Sequence, residues 1–106
     1  MERSEFNRRS SEVFQRLEVA IDQLDPDEAE LDVHGGVIYV SFADGARFVV
    51  NTQAAAHQIW LAGGAQGWHF GWDAEVGKWI ALRNGDELYA TFQKIVGDKL
   101  GYAIQV

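Results

Sequence analysis

The stretch from Glu18 to Asp32, EVAIDQLDPDEAELD, carries seven carboxylates and neither lysine nor arginine. The chain has 16 acids and 9 bases, so its formal net charge of −7 equals the contribution of this one segment. Carboxylates without histidine or cysteine partners suit hard cations, such as Ca²⁺, Mg²⁺, Mn²⁺ and iron, and would bind them weakly and with poor selectivity. We call these seven acids the acidic ridge: Glu18, Asp22, Asp25, Asp27, Glu28, Glu30 and Asp32.

The plain alternative for such a charge run is a solvated face that keeps the protein soluble. Two features count against this alternative: the rest of the chain is neutral, and the acids come from two consecutive predicted elements that could form one ridge. The segment is also locally unfavourable. The predicted first helix places Glu18, Asp22 and Asp25 on one face, where like charges repel and anions near a helix C-terminus oppose the macrodipole. Residues that violate local rules in this way are expected at functional sites. The segment does not match a calcium-binding EF-hand loop, since DPDEAELDVHGG lacks the glycine and the final glutamate of that pattern.

Residues for catalysis are scarce. The chain has no cysteine, which excludes disulfides, thiolate metal sites and cysteine nucleophiles. His34, His57 and His69 are scattered and form no paired motif, and the glycines between 63 and 67 lack the sequence of a phosphate-binding loop. We therefore predict that the protein is not an enzyme.

A second candidate site surrounds Trp60. If HQIWLA is a strand, Trp60 lies on the face opposite Ile59 and Leu61, which are natural core residues. An exposed tryptophan among amides is typical of a protein-binding anchor. Cross-strand stacking on Trp68 or Trp72 is an equally weighted alternative. The amides that strand alternation places beside Trp60 are Asn51, Gln53 and Gln58.

Two helices are predicted at the ends of the chain. Apolar residues at a period of 3.6 predict a first helix that runs to Leu24, before Pro26. Asn84 and the glutamate three residues later form a capping-box pattern ahead of a second helix. Gly97, inside that helix, costs about 1 kcal/mol relative to alanine.

Six short β-rich or alternating runs, separated by turns, lie between the helices. Short connections imply an antiparallel sheet, and two helices with one apolar face each can cover one side of it. The predicted fold class is therefore α+β, a two-layer α/β sandwich, and residues 1–106 are predicted to form a single domain. The runs are DEAELDV, VIYVSF, RFVVN, HQIWLA, GWHFGW and KWIAL.

Composition narrows the choice of partners and compartment. A sequence pI near 4.7 disfavours nucleic acid, because its phosphates would be repelled. No apolar run approaches the roughly 20 residues that span a bilayer, and MERSEFNRRSSEVF lacks the apolar core of a secretory signal. We expect a protein of a reducing compartment that binds neither nucleic acid nor membrane.

The order of these motifs resembles the frataxin family, and within it the bacterial, CyaY-type members. The resemblance covers essentially the whole chain, from SEFNR to Gly101, and is carried by the acidic first helix and strand, by GGVIYVSFADGARFVVNTQ, and above all by N-x-Q followed by HQIWLA. It implies the frataxin-like α/β sandwich, with both helices on one face of a six-stranded antiparallel sheet. It also implies a cytoplasmic, bacterial location.

The resemblance further implies a function. It indicates an iron-binding regulator of iron–sulfur cluster assembly, acting as an iron donor or iron sensor, that binds a cysteine desulfurase and the scaffold on which clusters form. Fe²⁺ or Fe³⁺ would bind weakly to the acidic ridge, other divalent cations could substitute, and Asn51, Gln53, Gln58 and Trp60 would contact a partner.

We expect a monomer, with metal-dependent oligomerisation as an alternative. A ferroxidase activity is attributed to the family, but no dedicated site is evident here. The alternative function is an acidic protein-interaction module with incidental, non-selective binding of divalent metals, and a third is a generic Ca²⁺ or Mg²⁺ buffer.

Overall fold

A computed structural model describes residues 1–106 as two helices and six strands. The strands form one antiparallel sheet in the order β1-β2-β3-β4-β5-β6, so each strand lies beside its neighbours in sequence. A short 3₁₀ turn at residues 54–56 joins β3 to β4. The elements are α1 (Arg3–Asp22), β1 (Ala29–His34), β2 (Val37–Phe42), β3 (Arg47–Gln53), β4 (Gln58–Gly63), β5 (Gln66–Asp73), β6 (Lys78–Ala81) and α2 (Leu88–Leu100).

The core lies between the two helices and one face of the sheet. The helices bury their apolar stripes, and alternate residues of the strands bury theirs against them. The opposite face of the sheet carries no covering element, which confirms the predicted two-layer α+β architecture. Neither helix combines the length and the apolar character that crossing a bilayer requires. The largest fully buried side chains include Phe6 and Leu17 from α1, Ile38, Ile59 and Phe70 from the sheet, and Leu88, Phe92 and Val96 from α2.

The first helix is shorter than predicted. It ends at Asp22, with Gln23 as the C-cap, so the prediction that Asp25 lies on the helix was wrong. Asp25 begins a turn instead: its Oδ1 accepts the backbone N–H of Asp27 at 2.9 Å, and its carbonyl accepts the N–H of Glu28 at 2.9 Å. Short side chains that bond to their own backbone favour turns over helices.

The second helix begins differently from the predicted capping box. Glu87, not Asn84, is the N-cap, and its carboxylate accepts the N–H groups of Tyr89 at 2.7 Å and Ala90 at 2.9 Å. Glu87 is held in an extended conformation by a β-bridge to Ile80, which places its side chain at the helix start. Asn84 bonds within the preceding turn instead.

The fourth strand begins at Gln58 rather than at His57. His57 follows the 3₁₀ turn in the left-handed region, with φ of 52°, and therefore cannot continue a strand. Its ring stacks on Phe6 of α1, with the two centroids 5.4 Å apart. Strand alternation from Gln58 onward is as predicted, with Ile59 and Leu61 buried.

Candidate functional site

The acidic ridge follows the chain from the end of α1 to the first strand. Its members all lie on the surface. Because β1 alternates, its two ridge carboxylates project to the open face of the sheet, while those of α1 lie on the solvent side of the helix. The ridge therefore continues around the edge of the sheet. Glu18 and Asp22 belong to α1, Asp25, Asp27 and Glu28 to the connection, and Glu30 and Asp32 to β1.

No basic side chain pairs with any ridge carboxylate. The chain forms four ion pairs, and all of them use acids outside the ridge: Arg8–Glu12, Arg9–Glu5, Lys94–Asp98 and Lys99–Asp44. One ridge member has a side-chain partner, since the hydroxyl of Tyr102 donates to Glu28 Oε2 at 3.2 Å. Desolvation, and then this hydrogen bond, raise the pKa of Tyr102 above its ordinary value, because both disfavour the ionised phenolate.

The ridge does not form a closed metal cage. Nowhere in the chain do three or more histidine, aspartate or glutamate side chains come together in a group that could hold a metal ion. The donors are carboxylates only, which fits a hard cation, and each ion would retain several waters. The arrangement therefore fits weak, exchangeable binding of hydrated cations along a charged surface.

The four residues predicted around Trp60 do come together on the open face. In the register between β3 and β4, Asn51 lies opposite Trp60 and Gln53 lies opposite Gln58. The indole Nε1 of Trp60 donates to Gln58 Oε1 at 2.8 Å, which fixes the orientation of both side chains. All four are half-buried, so this patch presents one aromatic ring among amides.

The stacking partner of Trp60 is His69. The two residues are paired between β4 and β5, and their rings lie parallel with centroids 4.1 Å apart and planes 10° apart. The alternative of stacking on Trp68 or Trp72 was wrong. Both lie on the same face of β5 as buried Phe70 and pack against the core. Pairing GWHF with HQIWLA in register would have revealed His69, but the length of the loop between them does not fix that register.

The acidic ridge and the Trp60 patch share one surface. Glu30 and Asp32 on β1 face the same side of the sheet as Asn51 on β3 and Trp60 on β4, as the registers between successive strands show. Strands lie about 4.8 Å apart, so β1 and β4 are separated by roughly 14 Å. One partner could therefore contact both regions.

Comparison with known proteins places the chain in a family. The model of the frataxin-like domain matches residues 1–102. The chain belongs to the frataxin-like family. Among its relatives, the iron-sulfur cluster assembly protein CyaY of Shewanella sp. (strain ANA-3) is 36% identical over 104 residues, which cover 95% of this chain and 94% of the relative.

Solved structures of the family have the same fold. Frataxin from Psychromonas ingrahamii, a protein of the CyaY family, aligns with a TM-score of 0.88 and 26% identity over 99% of this chain and 97% of its own. A trimeric frataxin from Saccharomyces cerevisiae, complexed with ferrous iron, aligns with a TM-score of 0.64 and 24% identity over 95% of this chain and 87% of its own, a similarity of fold. These matches confirm the predicted frataxin-like architecture.

Proposed function

We propose that this protein is an iron-binding regulator of iron–sulfur cluster assembly. Its CyaY relative is named as an iron-sulfur cluster assembly protein and aligns over nearly the full length of both chains. The observation that carries the proposal is the acidic ridge: seven exposed carboxylates, in a chain that otherwise balances its charges, with no ion-pair partner. Fe²⁺ and Fe³⁺ would bind there weakly, and other divalent cations would compete.

We further propose that the protein docks on a cysteine desulfurase and on the cluster scaffold. The acidic ridge would meet a basic surface of one partner, and the Trp60 patch would contact a partner across the open face of the sheet. Such docking requires no catalytic residue of this chain, and we propose a regulatory role as iron donor or iron sensor rather than an enzymatic one.

A second candidate function is an acidic interaction module whose metal binding is incidental. The observation that favours it is the absence of any group of three metal-binding side chains. With this function the ridge would bind only the partner protein. Iron would then have no effect on docking beyond the charge screening that any divalent cation produces.

Binding titrations with purified desulfurase and scaffold test the proposal and separate the two candidates. The Glu18→Gln/Asp22→Asn variant should bind the desulfurase more weakly than wild type, whereas Glu12→Gln, outside the ridge, should bind normally. Under the leading function, Fe²⁺ should change the wild-type affinity more than Mg²⁺ does at equal concentration. Equal effects of the two metals would favour the second candidate, and undiminished binding by the double variant would refute docking through the ridge.

A further inference from the structure

Strand β1 leaves one side of its backbone without a partner. It stands at the end of the strand order, so only β2 pairs with it. The N–H of Ala43 donates to the carbonyl of Glu28 at 3.3 Å, so the backbone polar groups of these two residues point toward each other. In an antiparallel ladder every second residue directs its N–H and C=O groups toward the partner strand. The residues in between direct theirs away from that strand, which at an edge strand means outward. In β1 this parity turns Ala29, Leu31 and Val33 outward. The N–H of Ala29 already donates to the carbonyl of Asp25 at 3.1 Å, so Leu31 and Val33 offer the free donors.

A groove follows this free edge. It has a volume of about 280 Å³ and is lined by four consecutive residues of β1, 29–32, together with the end of α1 and the turn that follows it. Successive strand side chains point to opposite faces, so a cavity lined by four in a row must run along the edge itself. Its lining combines apolar groups (Ile21, Leu24, Pro26, Ala29 and Leu31) with the carboxylates of Asp22, Glu30 and Asp32.

The charges decide what can occupy this edge. A second copy of the chain pairing through β1 would bring Glu30 and Asp32 against the same acids of its twin, and like charges across paired strands are destabilising. Charged side chains on an edge strand are a common protection against such self-association. An extended segment rich in lysine or arginine would be attracted to this edge instead, because the carboxylates of the ridge have no basic partner within the chain.

We propose that the free edge of β1 binds an extended, basic segment of a partner protein, which adds to the sheet as a seventh strand. The inference rests on the proposed docking of the acidic ridge and states its mode: main-chain hydrogen bonds supply a share of the affinity, and the ridge selects basic side chains. The segment's backbone bonds to the N–H and C=O groups of Leu31 and Val33. Its basic side chains face Glu30 and Asp32, and the alternate, apolar ones lie over Leu31, on the α1 side.

The first test uses three short synthetic peptides and the ¹⁵N-labelled full chain. One peptide alternates lysine and valine, the second has the same sequence with N-methyl groups at the backbone positions that would face β1, and the third replaces lysine by glutamate. The lysine–valine peptide should slow hydrogen exchange of the Leu31 and Val33 amides. The N-methylated peptide keeps the charges but loses the backbone donors, and should bind about tenfold more weakly or worse. The glutamate peptide should not bind.

The second test changes the edge itself. Val33→Pro removes an outward N–H and is compatible with an edge strand, whereas Val33→Ala keeps that N–H and shortens the same side chain. The proline variant should no longer bind the lysine–valine peptide, whereas the alanine variant should still bind it. If the proline variant does not fold, the comparison of the methylated and unmethylated peptides on the wild type decides alone.

Equal affinity for the methylated and unmethylated peptides would overturn strand addition and leave the ridge as a purely electrostatic surface, so the proposed function would survive. Failure of the lysine–valine peptide to bind the ridge at low salt, while purified desulfurase still binds there, would also overturn strand addition alone. The proposed docking itself fails only if ridge variants bind the desulfurase as wild type does.

Discussion

Trp60 is a large aromatic side chain held rigidly on an open surface. Its indole N–H bonds to Gln58 and one face of its ring lies against His69, so its orientation is fixed by neighbours on the same side of the sheet and not by the core. A side chain that is already ordered loses little conformational freedom when a partner covers it. This pre-organisation is what a binding hot spot requires.

Trp60→Ala should therefore weaken partner binding more than it weakens the fold. We expect a loss of about 2 kcal/mol or more in desulfurase or scaffold affinity, as for hot-spot aromatics, and a smaller loss of unfolding free energy than the ~3–5 kcal/mol of a buried tryptophan. Titration calorimetry and denaturant unfolding measure the two quantities. Trp79→Ala is the matched control, since Trp79 is only 3% exposed and should show the full loss of stability. Similar destabilisation by both variants, with unchanged affinity for Trp60→Ala, would make Trp60 a structural residue.

At the scale of elements, the end of α1 is electrostatically unfavourable. Glu18 and Asp22 are four residues apart on the helix, and Asp22 is its last residue, with no basic residue in the last turn. Repulsion between such a pair costs ~0.2–0.5 kcal/mol, and an anion at the C-terminus costs a further ~0.3–1 kcal/mol through the helix dipole. The helix tolerates this because its buried stripe, not its surface, supplies most of its stability.

The Glu18→Gln/Asp22→Asn variant should consequently melt at a higher temperature than wild type at low salt. The gain should shrink at high salt, because exposed charges are then screened. Glu12→Gln, which removes the partner of Arg8, is the control and should give no gain. Thermal melts at two salt concentrations measure the effect. A double variant that melts lower than wild type at low salt would show that these carboxylates stabilise the fold.

Gly97 shows how tertiary packing can reverse a local preference. Helix propensity alone favours alanine at this position by about 1 kcal/mol. In the folded chain, however, a Cβ on Gly97 would lie 3.1 Å from the carbonyl oxygen of Tyr102, where the chain turns back after Gly101. That turn directs the tail so that Ile104 is buried against the core.

We therefore expect Gly97→Ala to destabilise the protein by up to about 2 kcal/mol, which is the ~1–3 kcal/mol cost of a forced contact less the ~1 kcal/mol that helix propensity returns. Chemical denaturation of the variant measures the change. The matched control is Gln93→Ala, one turn earlier on the exposed side of α2. If Gly97→Ala is stabilised by as much as helix propensity predicts, the tail is not packed against the helix as described.

The helices, the six strands and their antiparallel order could be predicted from the sequence, because apolar periodicity and short turns specify them directly. The boundaries that failed depend on individual side chains. Asp25 accepts the backbone N–H of Asp27 and so forms a turn where the helix was predicted to continue. Glu87 becomes the N-cap of α2 because a β-bridge to Ile80 of β6 positions it. The pairing of His69 with Trp60 depends on a register between distant strands. The roles of the ridge and of the Trp60 patch remain predictions.

For the molecule as a whole, the net charge is concentrated on one side. The ridge supplies a charge equal to the entire net value of −7 and runs from the end of α1 around the edge of the sheet, beside the uncovered face that carries Trp60. Such a concentration of one sign steers cations and basic surfaces toward that side of the molecule. We propose that this concentration of charge binds iron.

Anaerobic titration of the ¹⁵N-labelled protein with Fe²⁺ locates the bound ion, because a paramagnetic ion broadens the amide signals nearest to it. Broadening should centre on residues 18–32, should be reversed by millimolar Mg²⁺ or Ca²⁺, and should be reduced in the Glu18→Gln/Asp22→Asn variant. His34 adjoins the ridge and does not discriminate, but His57 and His69 lie outside it. Broadening centred on His57 or His69, and unchanged in the variant, would show that iron does not bind at the acidic ridge.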